Sequence, residues 1–457
     1  MKKWKKITAI AVAGGIIVMS STSGASQISA FAASKTPAVN SMQNMQYMQN
    51  MQNMWNMQNM QGMQFSQNSF GMTGGMQYSQ NNFGMTGGMQ PGQNNFGMAG
   101  GMQQTNDSNV TLSSSPSDIV TASTTNSAAD LTVDEANATT ITMSSDNNDV
   151  TIENAGTYII TGKCSDGNIT VKKGTTGVVL ILKNLTLKST TGATLSVNKE
   201  SEVKIVVKGT VKLTDAEDPS DEESEDADVA DAFDGAVIKV KDGASCYLTG
   251  TGKLTLNGSS CKNGIKTGDD ENTSLVIDGS LKITIKAAND GINAGYDLAI
   301  LSGTVNISAG DDGIHADRIL TIGEDGNGPT IKISKSNEGL EGTIVNLFGG
   351  KVTVVSTDDG INAANKNNTY SALTYAINIT GGTHMIKTGG DGLDSNGDIN
   401  ITGGTVTISS ASNGGEAGID YDGNCYISDD ATLNNNSGIA GPDGGGMQQM
   451  TTCMPRF

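Results

Sequence analysis

The chain has 457 residues, of which 47 are acidic and 28 basic, giving a formal charge of −19, with 59 glycines and only 4% aromatic residues. That balance excludes a nucleic-acid binder and a binder of anionic lipid, both of which need a basic surface. Five cysteines (Cys164, Cys246, Cys261, Cys425, Cys453), scattered and without a C-x-x-C pair, argue against a zinc or redox centre and leave one disulfide or buried free thiols open.

Residues 1–32 read as a secretory signal peptide. Lys2, Lys3, Lys5 and Lys6 precede an apolar run over 7–19, and Ala30-Phe31-Ala32 supplies the cleavage site. The run is too short for a good membrane span and no later stretch competes, so the mature chain is expected outside the cell with no span. Its charge is then −23, because the four lysines leave and no acid goes with them. An acidic polymer is held by such a chain only through bridging cations.

Residues 33–104 form a low-complexity arm. Methionine recurs every third residue from Met42 to Met63, and a 13-residue unit then appears three times, anchored at Phe70, Phe83 and Phe96. Gln/Asn/Gly-rich tracts with sparse aromatics are disordered yet self-associating, so the arm is predicted to join copies of the chain. Methionine clusters also suit soft metals such as copper. A Ser/Thr-rich linker is expected over 105–136. A fragment of the arm unit returns in the 441–457 tail, as Gly444-Gly445-Gly446-Met447-Gln448-Gln449.

Strand-like alternation begins at 150–152 and continues through 157–160, 169–171, 178–182, 185–187, 193–197, 203–207 and 211–214. Residues 215–234 interrupt it with eleven acids and no base. Such a run is either a solvated loop or a fold over a bound cation.

Beyond it one phrase keeps returning: acid, glycine, aliphatic residue, variable residue, small residue. It reads Asp290-Gly291-Ile292-Asn293-Ala294, Asp312-Gly313-Ile314-His315-Ala316, Glu338-Gly339-Leu340-Glu341-Gly342, Asp359-Gly360-Ile361-Asn362-Ala363 and Asp391-Gly392-Leu393-Asp394-Ser395, with fainter copies around Gly264 and Gly418. The glycines are 27, 22, 26, 21, 32 and 26 residues apart, a period that tolerates insertions as a solenoid does. Two further short alternations separated by glycine turns lie between successive phrases, and no helical period appears. The prediction is an all-β parallel β-helix with three strands per rung and about nine rungs over 137–440.

In that fold the aliphatic and small residues point inward and the variable residue outward. The outward column is Lys266, Asn293, His315, Glu341, Asn362, Asp394 and Asp420, and of these Asn293, His315, Glu341, Asn362 and Asp394 are the expected ligand contacts. A neighbouring column of acids sits at the edge: Asp290, Asp312, Glu338, Asp359 and Asp391, with Asp311 and Asp358 beside it. Rungs stack about 4.8 Å apart, and carboxylates at that spacing repel by roughly 1–4 kcal/mol per pair. The expected remedy is Ca2+ held by Asp290, Asp311, Asp312, Glu338, Asp358, Asp359, Asp391, Asp394 and Asp420, because clustered carboxylates are the hard donors calcium takes. The competing explanation is that Asp and Asn simply favour the turn before glycine. The other two outward faces read as plain solvated ladders, and His384 as a core histidine.

These phrases, the Gly-Gly turns and the lead-in Ala155-Gly156-Thr157-Tyr158-Ile159-Ile160-Thr161-Gly162 resemble the carbohydrate-binding-domain proteins of cellulolytic anaerobic bacteria. The resemblance covers roughly residues 140–435. It implies a pectate-lyase-like right-handed β-helix with bound calcium that binds cellulose and acidic pectin of the plant cell wall without cleaving it. Two alternatives stand beside a non-catalytic binder. A calcium-dependent polysaccharide lyase needs a basic residue to take the α-proton, and only Arg318 offers itself in the solenoid. A surface or matrix scaffold would use the self-associating arm.

Overall fold

The computed structural model describes residues 9–12, 15–18, 112–123, 126–145, 148–216, 235–258, 263–364, 370–411 and 416–441. The expected arm, residues 217–234 of the acidic run, Cys261, Cys453, the tail and most of the expected signal peptide lie outside these. The chain divides into two units, Met1–Gly100 and Gly101–Phe457. In the first, the described residues are two short antiparallel strands, Ala9–Val12 and Gly15–Val18. No helix among the described residues is long and apolar enough to cross a membrane.

Among the described residues the second unit is all-β apart from one 3-10 turn, Ser127–Asp130. Its 28 strands form a single sheet of parallel pairings, in which each strand of the repeat bonds to the equivalent strand of the next repeat. Ile292–Ala294 thus pairs with Ile314 onward, Asp297–Ile300 with residues 320–322, and Thr304–Ser308 with residues 330–333. The chain therefore coils, and three strand directions recur in every rung.

Period-two alternation is what folds it this way. In Thr304–Ser308, Val305 and Ile307 are buried while Thr304, Asn306 and Ser308 are not. The aliphatic residues of the phrases, Ile265, Ile292, Ile314, Leu340, Ile361, Leu393 and Ile419, stack in register down the interior and are at most 1% exposed. Burial of each such side chain contributes roughly 1.5–3 kcal/mol. The small residue two positions on shares this interior, as Ala294, Ala316, Ala363 and Ser395 do.

The phrase glycines are fixed by close approach. A Cβ on Gly291, Gly313 or Gly360 would stand 2.5–2.6 Å from the carbonyl oxygen of the next phrase glycine, and would also strike an interior aliphatic side chain. The turn glycines have a different reason. Gly303 and Gly404 have φ of 93° and 79°, a left-handed conformation that other residues adopt at a cost.

The expected linker is not solvated along its length. From residue 112 the chain runs back over the coil as a strap, from the last rungs towards the first. Ser113 N donates to Cys425 O at 2.7 Å, Ser117 N to Asn400 Oδ1 at 3.0 Å, and Asn346 Nδ2 to Val120 O at 2.9 Å. Ala122 packs with Ile319, Ile344 and Ala376. Asn126 Nδ2 reaches Cys246 O and Ser274 Oγ, both at 3.0 Å, and Lys204 Nζ donates to Leu131 O at 2.7 Å.

One of the two faces read as solvated ladders is therefore buried. Val276, Ala299, Thr321, Asn346, Asn378 and Asn400 are each at most 1% exposed. The asparagines chain together, Asn400 to Asn378 and Asn378 to Asn346 at 2.8 Å each, so their polar groups are satisfied under the strap. On the remaining face Thr284 and Lys332 are exposed, whereas Asn306, Thr353 and Thr407 are half-buried. Cys164, Cys246 and Cys425 are buried free thiols, and burial pushes the Cys246 thiol up to about 12. His384 is a core residue whose Nε2 meets Gly381 O at 2.7 Å.

Candidate functional site

The phrase strands set the outward column in register: Lys239, Lys266, Asn293, His315, Glu341, Asn362, Asp394 and Asp420 are successive partners on adjacent rungs. Lys239 extends the expected column by one rung; Ile238-Lys239-Val240 lacks the acid and the small residue of the phrase but pairs in register with Ile265-Lys266-Thr267. The acids before the glycines line the edge beside this column, and many of them also accept a backbone N–H from the next rung. Asp290 Oδ1 accepts from Asp312 N at 3.1 Å, Asp359 Oδ1 from Asp391 N at 2.7 Å, and Asp391 from Ala417 N. Each therefore ties two rungs together besides carrying charge.

The predicted ligands separate into two groups with different chemistry. In the first, His315 sits among carboxylates. Its Nδ1 meets Glu341 Oε2 at 2.5 Å and Asp312 Oδ2 at 3.4 Å, and its Nε2 meets Asp317 Oδ1 at 2.6 Å. Burial opposes a charge on the ring, but bonds to Asp312, Asp317 and Glu341 lift its pKa well above the ordinary value. The imidazolium so held also keeps Glu341 below its ordinary value, against the effect of burial. This group carries its own cation.

Around it, the amide N–H groups are directed at acids. Asn293 Nδ2 donates to Asp290 Oδ2 at 2.5 Å, and Asn362 Nδ2 to Glu338 Oε2 at 3.0 Å. Burial pushes Asp290 up to about 6, and burial with the nearby Glu341 and Asp312 pushes Glu338 up to about 8. Asp312 is likewise raised by burial. Asp311 and Asp358 are exposed at the rim, and their carbonyls serve the turns by accepting from Asn337 N at 2.7 Å and Gly390 N at 3.1 Å.

The second group lies further along the same face. Ligand oxygens of Asp359, Asp391 and Glu416 lie within 4.8 Å of one another, as do those of Asp391, Asp394 and Asp420. Asp391 belongs to both sets. Among the described residues no Lys, Arg or His forms an ion pair with any of these five. Burial pushes Asp359 up to about 6, and Asp391 and Asp394 up to about 7, with the neighbouring carboxylates adding to each. Asp420 is raised by burial as well.

Such a donor set fits calcium. Two oxygens bound to one calcium at about 2.4 Å each stand no more than about 4.8 Å apart, and the oxygens of each set lie within that limit. One rung away, in register with Asp394, the Asn362 Oδ1 is buried with no hydrogen-bond partner among the described residues and offers a further oxygen. Glu416 escaped the sequence reading because Ala417 separates it from Gly418. The phrase acid has slipped by one residue, and a pattern allowing that slip finds it.

Arg318 is not placed as a base. Its guanidinium makes a two-pronged ion pair with Asp297, with Nε to Oδ1 at 2.7 Å, and stacks 4.4 Å from the Tyr296 ring centre.

The family model of carbohydrate-binding domain-containing proteins matches residues 145–414 and, overlapping, 320–444. No curated protein matches. A solved structure, the polysaccharide lyase-like protein from C. thermocellum as a gadolinium derivative, aligns over 66% of this chain and 99% of that one at 22% identity and a TM-score of 0.36. A TM-score of that size carries no argument about the site. The family matches, by contrast, span more than half of the 457 residues and run through the rungs that bear both acidic groups, so the chain belongs to the carbohydrate-binding domain-containing protein family.

Proposed function

We propose that the chain is a secreted, non-catalytic carbohydrate-binding protein. In this reading its coil is a right-handed parallel β-helix of about nine rungs, and its ligand is acidic plant cell-wall polysaccharide of the polygalacturonate type, with cellulose as a second surface. Calcium bound by Asp359, Asp391, Asp394, Glu416 and Asp420 bridges the protein to the uronate carboxylates. The observation that carries the reading is the five-carboxylate cluster without a cationic partner among the described residues.

Coulomb repulsion supports it. Within 4.8 Å and at an effective dielectric near 20, each pair of ionised carboxylates in a set costs at least about 3 kcal/mol. A divalent ion reverses that cost, and a uronate can complete its coordination. The non-catalytic part rests on Arg318, whose guanidinium is held by Asp297 and Tyr296. The 33–104 arm would array the binding domains by self-association, and concentration-dependent assembly that persists after its deletion would remove that part.

Retention on polygalacturonate with calcium and then with chelator tests the whole. The expected result is markedly stronger retention in calcium and no ultraviolet-absorbing unsaturated product. Retention that chelator leaves unchanged would sink the calcium bridge, and turnover that Arg318→Ala abolishes would make the chain a lyase.

A further inference from the structure

The coil departs from its rhythm at one corner under the strap. Three residues turn the chain from the second strand to the third after Ile300 and again after Leu347, whereas seven, residues 323–329, lie between their register partners Ile322 and Thr330. The added length carries Glu324 and Asp325 out into an exposed excursion. Excursion and strap enclose a cleft of about 370 Å³, within the range of small-molecule sites. Thr121 of the strap lines it with Glu324, Asp325 and the rung residues Thr321, Phe348 and Thr380.

The lining is selective. Neither Glu324 nor Asp325 forms an ion pair among the described residues, and no Lys, Arg or His borders the cleft, so an acidic ligand is repelled. Thr321 is only 1% exposed, and its hydroxyl has no hydrogen-bond partner among the described residues. Its column neighbours Asn346, Asn378 and Asn400 are all bonded, so the exception falls on the member that lines the cleft. A buried hydroxyl left unpaired costs free energy that a ligand group can recover. Phe348 is the only phenylalanine among the described residues. It stands half-buried at the turn position where adjacent rungs place Gly323 and Thr380.

We propose that this cleft is a subsite for one uncharged pyranose residue of a β-glucan. The Phe348 ring takes the apolar CH face of the sugar. Glu324, Asp325, Thr121 and Thr380 take the hydroxyls at its edge, and one sugar hydroxyl pairs with Thr321. A β-glucose unit suits the cleft because its ring hydroxyls are all equatorial and leave both faces apolar. The inference rests on the cellulose part of the reading above and gives it a place, on the strapped face and not on the phrase column. One chain then holds an uncharged and an acidic polymer on different faces.

The test is calorimetric titration of the full chain with cellotetraose and with tetragalacturonate, both in excess chelator. Cellotetraose should bind at least tenfold more tightly than the acid. Thr321→Val keeps the shape and removes the hydroxyl, so it should weaken cellotetraose about fivefold and leave the melting temperature equal or higher. Phe348→Leu should weaken it about tenfold, and Phe348→Tyr should keep the parent affinity. No binding of cellotetraose by the unaltered chain, binding that survives both weakening variants, or a Thr321→Val chain that melts lower would each overturn the subsite. Retention on insoluble cellulose judges the underlying reading. Parent and variants retained alike would sink the subsite and leave that reading standing, and a parent that is not retained would sink both. The calcium bridge stands or falls separately on polygalacturonate, where neither variant should change retention.

Discussion

Replacing Asp394 by asparagine isolates the charge in the cluster from its structural work. Unlike Asp359 and Asp391, which accept backbone N–H groups, Asp394 has a carboxylate defined by burial and by the neighbouring Asp359, Asp391 and Asp420. Its pKa is pushed from 3.8 up to about 7, a difference equivalent to roughly 4 kcal/mol. That is an upper bound, because the cluster shares one repulsion among its members.

The sign follows from the direction. A carboxyl raised in the folded state stays protonated there after the unfolded chain has lost its proton. Stability is therefore highest below about pH 4, falls across pH 4 to 7, and carries the full penalty above it. In chelator, Asp394→Asn should raise stability at pH 8 by about 1–3 kcal/mol and change nothing at pH 3.5. Calcium should stabilise the parent chain by about 2.7 kcal/mol at a hundredfold excess over its dissociation constant, more at pH 8 than at pH 5, and the variant much less. Urea denaturation of both chains at pH 3.5, 5 and 8, with calcium and with chelator, reads each of these differences. A variant less stable than the parent at pH 8 in chelator would show that the carboxylate serves the fold and not a cation.

Three further outcomes are expected. Arg318→Ala should cost about 3 kcal/mol in denaturant melts by stranding the buried Asp297, with no change in retention on polygalacturonate. Gly360→Ala should lower stability by about 1–3 kcal/mol, because its methyl group would collide with Gly392 O and Ile386; an unchanged melting temperature would refute close approach as the reason for the glycine. Asn378→Ala should cost about 1–3 kcal/mol, since it strips the buried Asn346 Oδ1 of its donor and leaves Asn400 Nδ2 with Ser117 Oγ alone, and a neutral result would mean water replaces the amide.

The coil was legible because its information is local and repeated. Ile292, Ile314 and Leu340 announce an interior face, and one register follows for every strand between them. Column membership followed too, so Asp391, Asp394 and Asp420 could be placed together before any coordinates. The direction of each side chain did not follow. That His315 would turn its ring into three carboxylates, and Asn293 and Asn362 their amides onto neighbouring acids, depends on packing between rungs that no single repeat encodes. Strap and ladder were missed for a related reason. Asn346, Asn378 and Asn400 look like solvated residues along the sequence, and their partners Ser117 and Val120 lie more than two hundred positions away.

A coil of stacked rungs is a one-dimensional object in which each rung touches only its neighbours, so it melts as a row, fraying from the ends inward. The segment over residues 113–131 breaks that rule. It contacts late rungs at Cys425 and Asn400, a middle one at Asn346, and early ones at Cys246 and Lys204. An end rung then cannot open without loosening a stretch whose other contacts lie many rungs away. The two ends of the outward phrase column, Lys266 and Asp420, are thereby held to one length and one alignment, so that the row of rungs behaves as a rigid ruler in place of a spring.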